Sequence, residues 1–285
     1  MKIKISADST CDLSPELISK YNIGIMPLYV ALGEQNLLDG QTIVPEDIYE
    51  YYNQTKKLPK SGARSVEDYQ KYFSGLLTGG YDAIVHFTIS AEMSASYNNA
   101  ALAAQKLKNV YVVDSRNLST GIGLLVLDAC DMVAAGKDVK YVVQRANSRV
   151  DAVQASFLID SLEFLYKGGR CSSLAYFGAN LLKLKPSIAV KNGKMGTWSK
   201  FQGKFAHCVQ KYVETVKNTY QTPDKTRCFV THTALPEGIA DSVIETVKSW
   251  GIFDEVIETV AGCTVTSHCG ANTIGVLFIN DGGVK

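Results

Sequence analysis

Apolar strand-like runs alternate with helix-like segments along the first half of the chain, and this alternation restricts the possible folds most strongly. The runs at residues 82–90 and 110–115 contain no regular polar alternation, which is typical of strands buried on both faces, and residues 2–7 form another short β-branched run. Helix-like stretches separate them, and strands joined in this way form parallel sheets covered by helices. The pattern therefore predicts an α/β domain with a parallel sheet over residues 1–150.

The pattern changes in the second half of the chain. Residues 187–200 alternate around the pair Asn192-Gly193, which is a strong hairpin signal. Further strands and helices follow it, and a chain of 285 residues exceeds the usual size of one domain. We therefore predict a second, mixed-sheet α+β domain over residues 151–285. Ligands of parallel sheets bind beyond the carboxyl ends of the strands, and we expect the ligand site between the two domains.

Charge and composition exclude several functional classes. The formal net charge is +1 and the basic residues form no block, so neither nucleic acid nor a stable membrane anchor is expected. The apolar stretch at residues 121–136 contains two aspartates and is too short to cross a bilayer. Seven cysteines are scattered without a CxxC pair, and no apolar leader is present, which predicts a cytoplasmic protein with free thiols. The phosphate-binding sequence motifs of nucleotide enzymes are also missing.

Three segments that carry small hydroxyl residues are predicted to be turns: residues 60–65, 89–96 and 266–270. The second of these opens a helix, where unpaired backbone N–H groups attract anions. Ser94 and Ser96 there could donate to a carboxylate or phosphate, or they could simply cap the helix.

His268 lies in a stretch, residues 265–279, that contains no acidic or basic side chain. Its imidazole either bonds the backbone of a loop, or it donates to an anionic or carbonyl ligand, or it moves a proton. Arg170 follows a helix end at Gly168 and is available to an anion or an ion pair. The segment 8–10 follows the first strand and either contacts a ligand or makes a local Asx-turn.

Two other interpretations of this segment are weaker. Cys269 or Ser267 could act as a nucleophile with His268, but residues adjacent in sequence rarely reach each other productively. Cys263, His268 and Cys269 could begin a zinc site, yet the sequence offers no second cluster for the remaining ligands.

Segments at the start, middle and end of the chain together resemble the DegV family: ISADSTCDLS, LEFLYKGGRCSSLAYFGANLLKLKPSI and TSHCGANTIGV. This family is similar to the fatty-acid-binding subunit of bacterial fatty acid kinase. The resemblance implies a two-domain α/β protein that buries one long-chain fatty acid, without a metal or other cofactor. It also implies that the chain itself is not catalytic, because a separate kinase protein phosphorylates the bound carboxylate.

The resemblance assigns roles to four residues. Ser61 stands where the family usually has a threonine, Ser94 stands at the second hydroxyl position, and His268 matches the family histidine. These three are expected to hold the carboxylate. Arg170 matches the arginine of the glycine-arginine segment, and it is expected either behind the carboxylate or facing the incoming phosphoryl group.

The chain departs from the family pattern at residues 62–64, 91–92 and 271–272. Glu92 replaces a glycine, which places a side chain where the backbone could need a positive φ or a close approach to the ligand. We expect Arg64 and Glu92 to pair with each other at the mouth of the site. Two alternatives to the fatty-acid carrier remain: a binder of another small anion, and an enzyme that acts on acyl or carbonyl substrates through His268.

Overall fold

The computed structural model describes residues 1–170 and 184–283, and strands and helices are numbered in chain order within them. Its first sheet has four parallel strands, β1 (Ile3–Asp8), β2 (Gly24–Met26), β6 (Ala83–Thr88) and β7 (Val110–Asp114). Their order in the sheet is β2-β1-β6-β7. Every residue of β6 is buried, so the predicted parallel sheet with two covered faces is confirmed.

Helices connect and cover these strands: α1 (Pro15–Lys20), α2 (Pro45–Thr55), α3 (Val66–Thr78), α4 (Ser96–Ala104), α5 (Thr120–Ala134) and α6 (Val139–Arg149). The sequence predicts Ser14 and Ser65 as helix N-caps, with an acid three residues after Ser65, and both caps are confirmed at α1 and α3. Ser14 accepts a hydrogen bond from the Leu17 N–H, and Ser65 and Asp68 form a reciprocal capping box.

A small antiparallel sheet contains β3 (Tyr29–Leu32), β4 (Gln35–Leu38) and β5 (Lys60–Gly62), in the order β4-β3-β5. Two predictions were wrong here. The apolar run at residues 23–32 predicts a strand, but it does not form one continuous strand, because Pro27 separates β2 from β3 and has no N–H for a ladder. Residues 60–62 are not a turn, since Ser61 pairs with Val30 in this sheet.

The second large sheet is mixed, as predicted. Its strands are β8 (Val153–Gln154), β9 (Ser156–Ile159), β10 (Lys185–Lys191), β11 (Lys194–Phe201), β12 (Arg227–His232), β13 (Glu255–Val260) and β14 (Thr273–Ile279). The order is β11-β10-β9-β14-β12-β13, with β8 also paired to β14. Only the pairing of β12 with β13 is parallel among the described pairs of this sheet.

Four more helices belong to this half: α7 (Glu163–Lys167), α8 (Phe205–Thr219), α9 (Ile239–Ser249) and α10 (Cys263–Cys269). A further helix predicted at residues 172–184 lies almost wholly outside the described residues. The predicted hairpin turn is confirmed: Asn192 and Gly193 have φ values of 50° and 78° between β10 and β11.

Helix α5 lies between the two large sheets and is buried from Thr120 through Cys130. The hydrophobic cluster around it includes Ile5 and Val85 of the first sheet and Phe229 and Leu277 of the second. The proposed domain division at residue 150 stays a prediction. Over the described residues, no helix combines the length and apolar character needed to cross a membrane.

Candidate functional site

Ser61 and His268 come together although they are far apart in the chain. Strand β5 presents Ser61, and the last turn of α10 presents His268. The Ser61 Oγ lies 2.7 Å from the His268 Nε2. The prediction of a turn at residues 266–270 was wrong, because α10 continues to Cys269 and ends at Gly270, whose φ is 68°. The helix gives the imidazole a fixed direction that a loop would not provide.

The His268 ring is held neutral. Burial, and to a smaller extent the charge of Arg170, lowers its pKa from 6.5 to about 4. Among the described residues, its Nδ1 has no hydrogen-bond partner. A Cβ atom at Gly168 would lie 2.6 Å from this Nδ1, so the glycine is what allows the backbone after α7 to pass over the ring.

Ser94 lies in the loop between β6 and α4, as predicted. Its Oγ accepts from the Ser96 N–H at 3.2 Å and lies 3.0 Å from the Ser96 Oγ. Other segments hold this loop in place: Asp8 accepts from the Ile89 N–H at 3.2 Å, and the Ser90 hydroxyl donates to the Gly193 carbonyl at 2.7 Å. The hairpin of the second sheet is therefore docked on the loop that carries Ser94.

Ser61, Ser94, Arg170 and His268 all line one cavity of about 240 Å³. The structure thus brings all four predicted site residues to one place. Apolar side chains dominate the rest of the lining: Leu28, Ile89, Met93, Leu118, Met195 and Val265. Sequence reasoning missed these six, because they come from five separate stretches of the chain and only the folded structure brings them together.

Arg170 is exposed, and it is the last residue of the described range 1–170. One guanidinium nitrogen donates to the Gly168 carbonyl at 2.7 Å. The side chain therefore joins the backbone that covers His268 while its charge faces the cavity and solvent. This position fits either role that the resemblance implied.

Two buried aspartate side chains hold the N-terminus of α10, and no motif indicated them. Asp12 accepts from the Gly262 N–H at 2.9 Å. Asp39 accepts from the N–H groups of Cys263 and Thr264 at 2.8 and 3.2 Å. Carboxyl oxygens at a helix start satisfy its unpaired N–H donors, although burial raises the pKa of Asp12 to about 8. Segments near the amino terminus thus fix the helix that carries His268.

The segment 8–10, left open between a ligand contact and an Asx-turn, has a supporting role. The Ser9 hydroxyl donates to Asp39 at 2.9 Å, and Asp8 is fully buried and accepts from the Tyr69 hydroxyl at 2.6 Å. Neither residue lines the cavity. The segment positions both α10 and the loop of Ser94.

The enzyme and metal interpretations gain no support from the geometry. Burial raises the pKa of the Cys269 thiol to about 12, which removes its nucleophilic form at neutral pH. The Ser267 hydroxyl donates to the Cys263 carbonyl one turn earlier in α10. Within residues 1–170 and 184–283, no group of three or more metal-ligating side chains is assembled.

The sequence matches the model of the DegV family over residues 2–281. The chain belongs to the DegV family. It is 30% identical over 281 residues to the fatty acid-binding protein of Thermotoga maritima, with 96% of each chain covered. This family membership and the fold described above agree with the resemblance stated from the sequence.

Solved structures of similar proteins share the whole fold. A fatty-acid-binding DegV family protein from Thermus thermophilus superimposes with a TM-score of 0.90 at 25% identity, covering 98% of this chain and 100% of that one. A stearic acid-binding protein from Eubacterium ventriosum gives a TM-score of 0.84 at 25% identity and covers 98% of each chain.

The departures from the DegV pattern are accommodated locally. Arg64 does not pair with Glu92 as predicted. The Arg64 Nε lies 3.2 Å from the Asp68 Oδ2, and the guanidinium lies over the ring of Tyr29. The Glu92 Oε2 lies 3.1 Å from the Lys194 Nζ. Glu92 is not among the described residues with positive φ, so the lost glycine causes no backbone strain.

The loop after His268 does need a left-handed residue. Asn272 has a φ of 59°, in the place where the family pattern has a glycine. Asparagine is one of the few other residues that tolerate this conformation. The exchange therefore preserves the path of the chain into β14.

Proposed function

We propose that this DegV protein binds one long-chain fatty acid in the cavity and presents its carboxylate to a separate kinase protein. The observation that carries the proposal is the composition of the cavity. Two hydroxyls and a neutral imidazole lie on a lining that is otherwise mainly apolar. The fatty-acid-binding relatives with the same fold support the choice of ligand.

The headgroup chemistry follows from the Ser61–His268 contact. We place the proton of the neutral ring on Nε2, because a proton on Nδ1 would be a buried N–H donor without a partner. In that tautomer the imidazole donates to the Ser61 oxygen, and the Ser61 hydroxyl hydrogen is free to donate to a carboxylate. Ser94 supplies a second hydroxyl. Hydrogen bonds to a charged acceptor are stronger than neutral ones, which offsets part of the cost of taking the carboxylate out of water.

The tail supplies most of the affinity. Each methylene that leaves water contributes about 0.8 kcal/mol, and the side chains of Ile89, Met93 and Leu118 provide an apolar surface for it. A ligand with a long hydrocarbon tail therefore gains much more in this cavity than a small polar anion.

The direct test is mass spectrometry of ligands extracted from the protein purified under native conditions. We expect a long-chain fatty acid at close to one per chain. A short polar anion in its place would favour the alternative of a general anion binder. Delipidated protein that takes up neither palmitic nor oleic acid would contradict the proposal.

Replacement of the hydroxyls tests the headgroup site. Ser61→Ala and Ser94→Ala should each weaken fatty-acid binding by about tenfold to a hundredfold, the effect of one hydrogen bond to a charged group. Ser249→Ala is the matched control, because its hydroxyl bonds only within the exposed end of α9. Equal affinity of all three variants and the parent would remove Ser61 and Ser94 from the site.

Presentation to a kinase is tested with Arg170→Ala. We infer that the exposed guanidinium stabilises negative charge when the kinase transfers a phosphoryl group from ATP to the carboxylate. The rate of acyl phosphate formation with an added fatty acid kinase should fall at least tenfold, while fatty-acid affinity changes little. Arg116→Ala, which removes a surface charge paired with exposed Asp151, should leave the rate unchanged. No acyl phosphate with the unaltered chain, kinase and ATP would contradict the presentation step alone.

A further inference from the structure

A second, smaller cavity of about 30 Å³ lies next to the first. Leu118, Val265 and Cys269 line both cavities. These three side chains therefore form a shared wall, which we call the Leu118 wall. Ser61, Ser94, Arg170 and His268 line only the first cavity, so the polar groups and the second cavity lie on different sides of this wall.

The second cavity reaches the sheet of the carboxyl-terminal half. Its other apolar lining residues include Ala155, Phe157, Val190, Ala261 and Leu277. Several of them belong to the two buried clusters that surround α5 and the start of α10. The space behind the Leu118 wall is thus a gap within the hydrophobic core.

The polar residues around this gap already have partners. The Thr231 Oγ1 lies 2.9 Å from that of Thr259, and His232 bonds the Thr233 carbonyl at 2.7 Å. The Thr233 hydroxyl oxygen accepts from the Thr273 N–H at 3.0 Å. A buried water needs two or more free polar partners, so the gap is better suited to a methyl group than to water.

We propose that the Leu118 wall sets the longest fatty-acid tail that the protein accepts. The inference rests on the proposed function. A tail that starts at Ser61 and His268 and extends toward Leu118 ends against this wall, because the three side chains separate the first cavity from the apolar space of the second. Removing part of the wall joins the two spaces and admits extra methylenes.

The test is Leu118→Ala, assayed with saturated acids from myristic to arachidic. Each added buried methylene strengthens binding about fourfold. We expect the ratio of affinities for arachidic and stearic acid to rise about tenfold over the parent protein. Filling the gap again with Ala155→Val in the Leu118→Ala background should return the ratio toward the parent value.

Leu165→Ala is the matched control. Leu165 is fully buried in the same cluster as Leu118 but lines neither cavity, so it reports the effect of a core truncation alone. A ratio that is unchanged in folded Leu118→Ala, or that rises equally in Leu165→Ala, would overturn the inference. Failure of the parent protein to bind any of the acids would instead contradict the proposed function.

Discussion

Each half of the chain contributes one histidine that contacts a serine, a fully buried one at His86 and a half-buried one at His268, and the two pairs are built differently. His86 in β6 has partners on both ring nitrogens: Nδ1 lies 2.9 Å from the Ser6 Oγ, and Nε2 lies 3.4 Å from Asp8. Within residues 1–170 and 184–283, His268 in α10 has Ser61 as its only hydrogen-bond partner, and it lines a cavity. His86 is completely enclosed, with 0% of its surface exposed.

The difference lies in unused hydrogen-bonding capacity. At His86 the hydroxyl, the imidazole and the carboxylate satisfy one another, and Tyr69, Tyr72 and Phe73 surround the ring. At His268 the serine hydroxyl can still serve a further acceptor, and space for that acceptor is present. A cavity-lining histidine that meets no carboxylate among the described residues is therefore the better candidate for ligand binding, although both histidines occur beside a serine.

The largest expected effect separates the two histidines by stability. His86→Ala should lower the free energy of unfolding by roughly 3–5 kcal/mol, since it leaves a core cavity and removes a partner from buried Asp8. Urea unfolding followed by circular dichroism measures this loss. The fatty-acid affinity of the folded fraction should change less than in His268→Ala. If His86→Ala is nearly as stable as the parent, the hydrogen bonds among Ser6, His86 and Asp8 do not stabilise the fold.

The second-largest expected effect is a loss of fatty-acid binding, not of stability, in His268→Ala. His268→Ala should cost less stability than His86→Ala, because no buried carboxylate loses a partner. It should weaken fatty-acid binding by about tenfold to a hundredfold, since the orientation of the Ser61 hydroxyl is lost. Isothermal titration with palmitic acid measures the change. Unaltered affinity for palmitic acid would mean that the unused hydrogen-bonding capacity of the Ser61–His268 pair serves no fatty acid.

Local patterns in the sequence were sufficient for much of the fold. The apolar runs predicted β1, β6 and β7, Ser14 and Ser65 marked helix starts, and Asn192-Gly193 marked a hairpin. These features depend on neighbouring residues, so one segment at a time reveals them. Strand β5 was missed because three residues pair with β3 only through tertiary contacts.

Residues of the site could be predicted from the sequence only where they belong to a family motif. Ser61, Ser94, Arg170 and His268 came from the family resemblance, and their residue spacing alone left capping and loop roles open. Their meeting depends on contacts across 207 positions for Ser61 and His268. Asp39 and Leu118 carry no signal at all, because capping of α10 and the cavity wall arise from the folded chain.

A smaller effect is expected from the glycine that covers the imidazole. Gly168→Ala would place Cβ 2.6 Å from the His268 Nδ1 and 2.9 Å from the Phe164 carbonyl oxygen. The backbone or ring must shift, and fatty-acid binding should weaken by several-fold up to about tenfold. Gly75→Ala in α3 meets no atom within 4 Å and should raise stability by up to about 1 kcal/mol without affecting binding. Parent affinity in Gly168→Ala would show that the ring position is not critical.

The smallest expected effect is that of pH on the contribution of His268 to binding. Its pKa is lowered from 6.5 to about 4, so the folded protein keeps a neutral imidazole between about pH 6 and pH 8. The ratio of palmitic acid dissociation constants for His268→Ala and the parent should stay constant over this range, and ionisation of the ligand itself cancels in the ratio.

Stability should respond at lower pH with a defined sign. Because the folded pKa lies below 6.5, the unfolded chain binds the proton more readily, and stability is lost as pH falls from 6.5 through about 4. His268→Ala should lack this part of the acid destabilisation in urea titrations.

The ratio of dissociation constants for His268→Ala and the parent could instead grow as pH falls from about 8 to about 6, which would mean that an imidazolium holds the carboxylate. The neutral serine–histidine donor pair would then be the wrong description of the headgroup site.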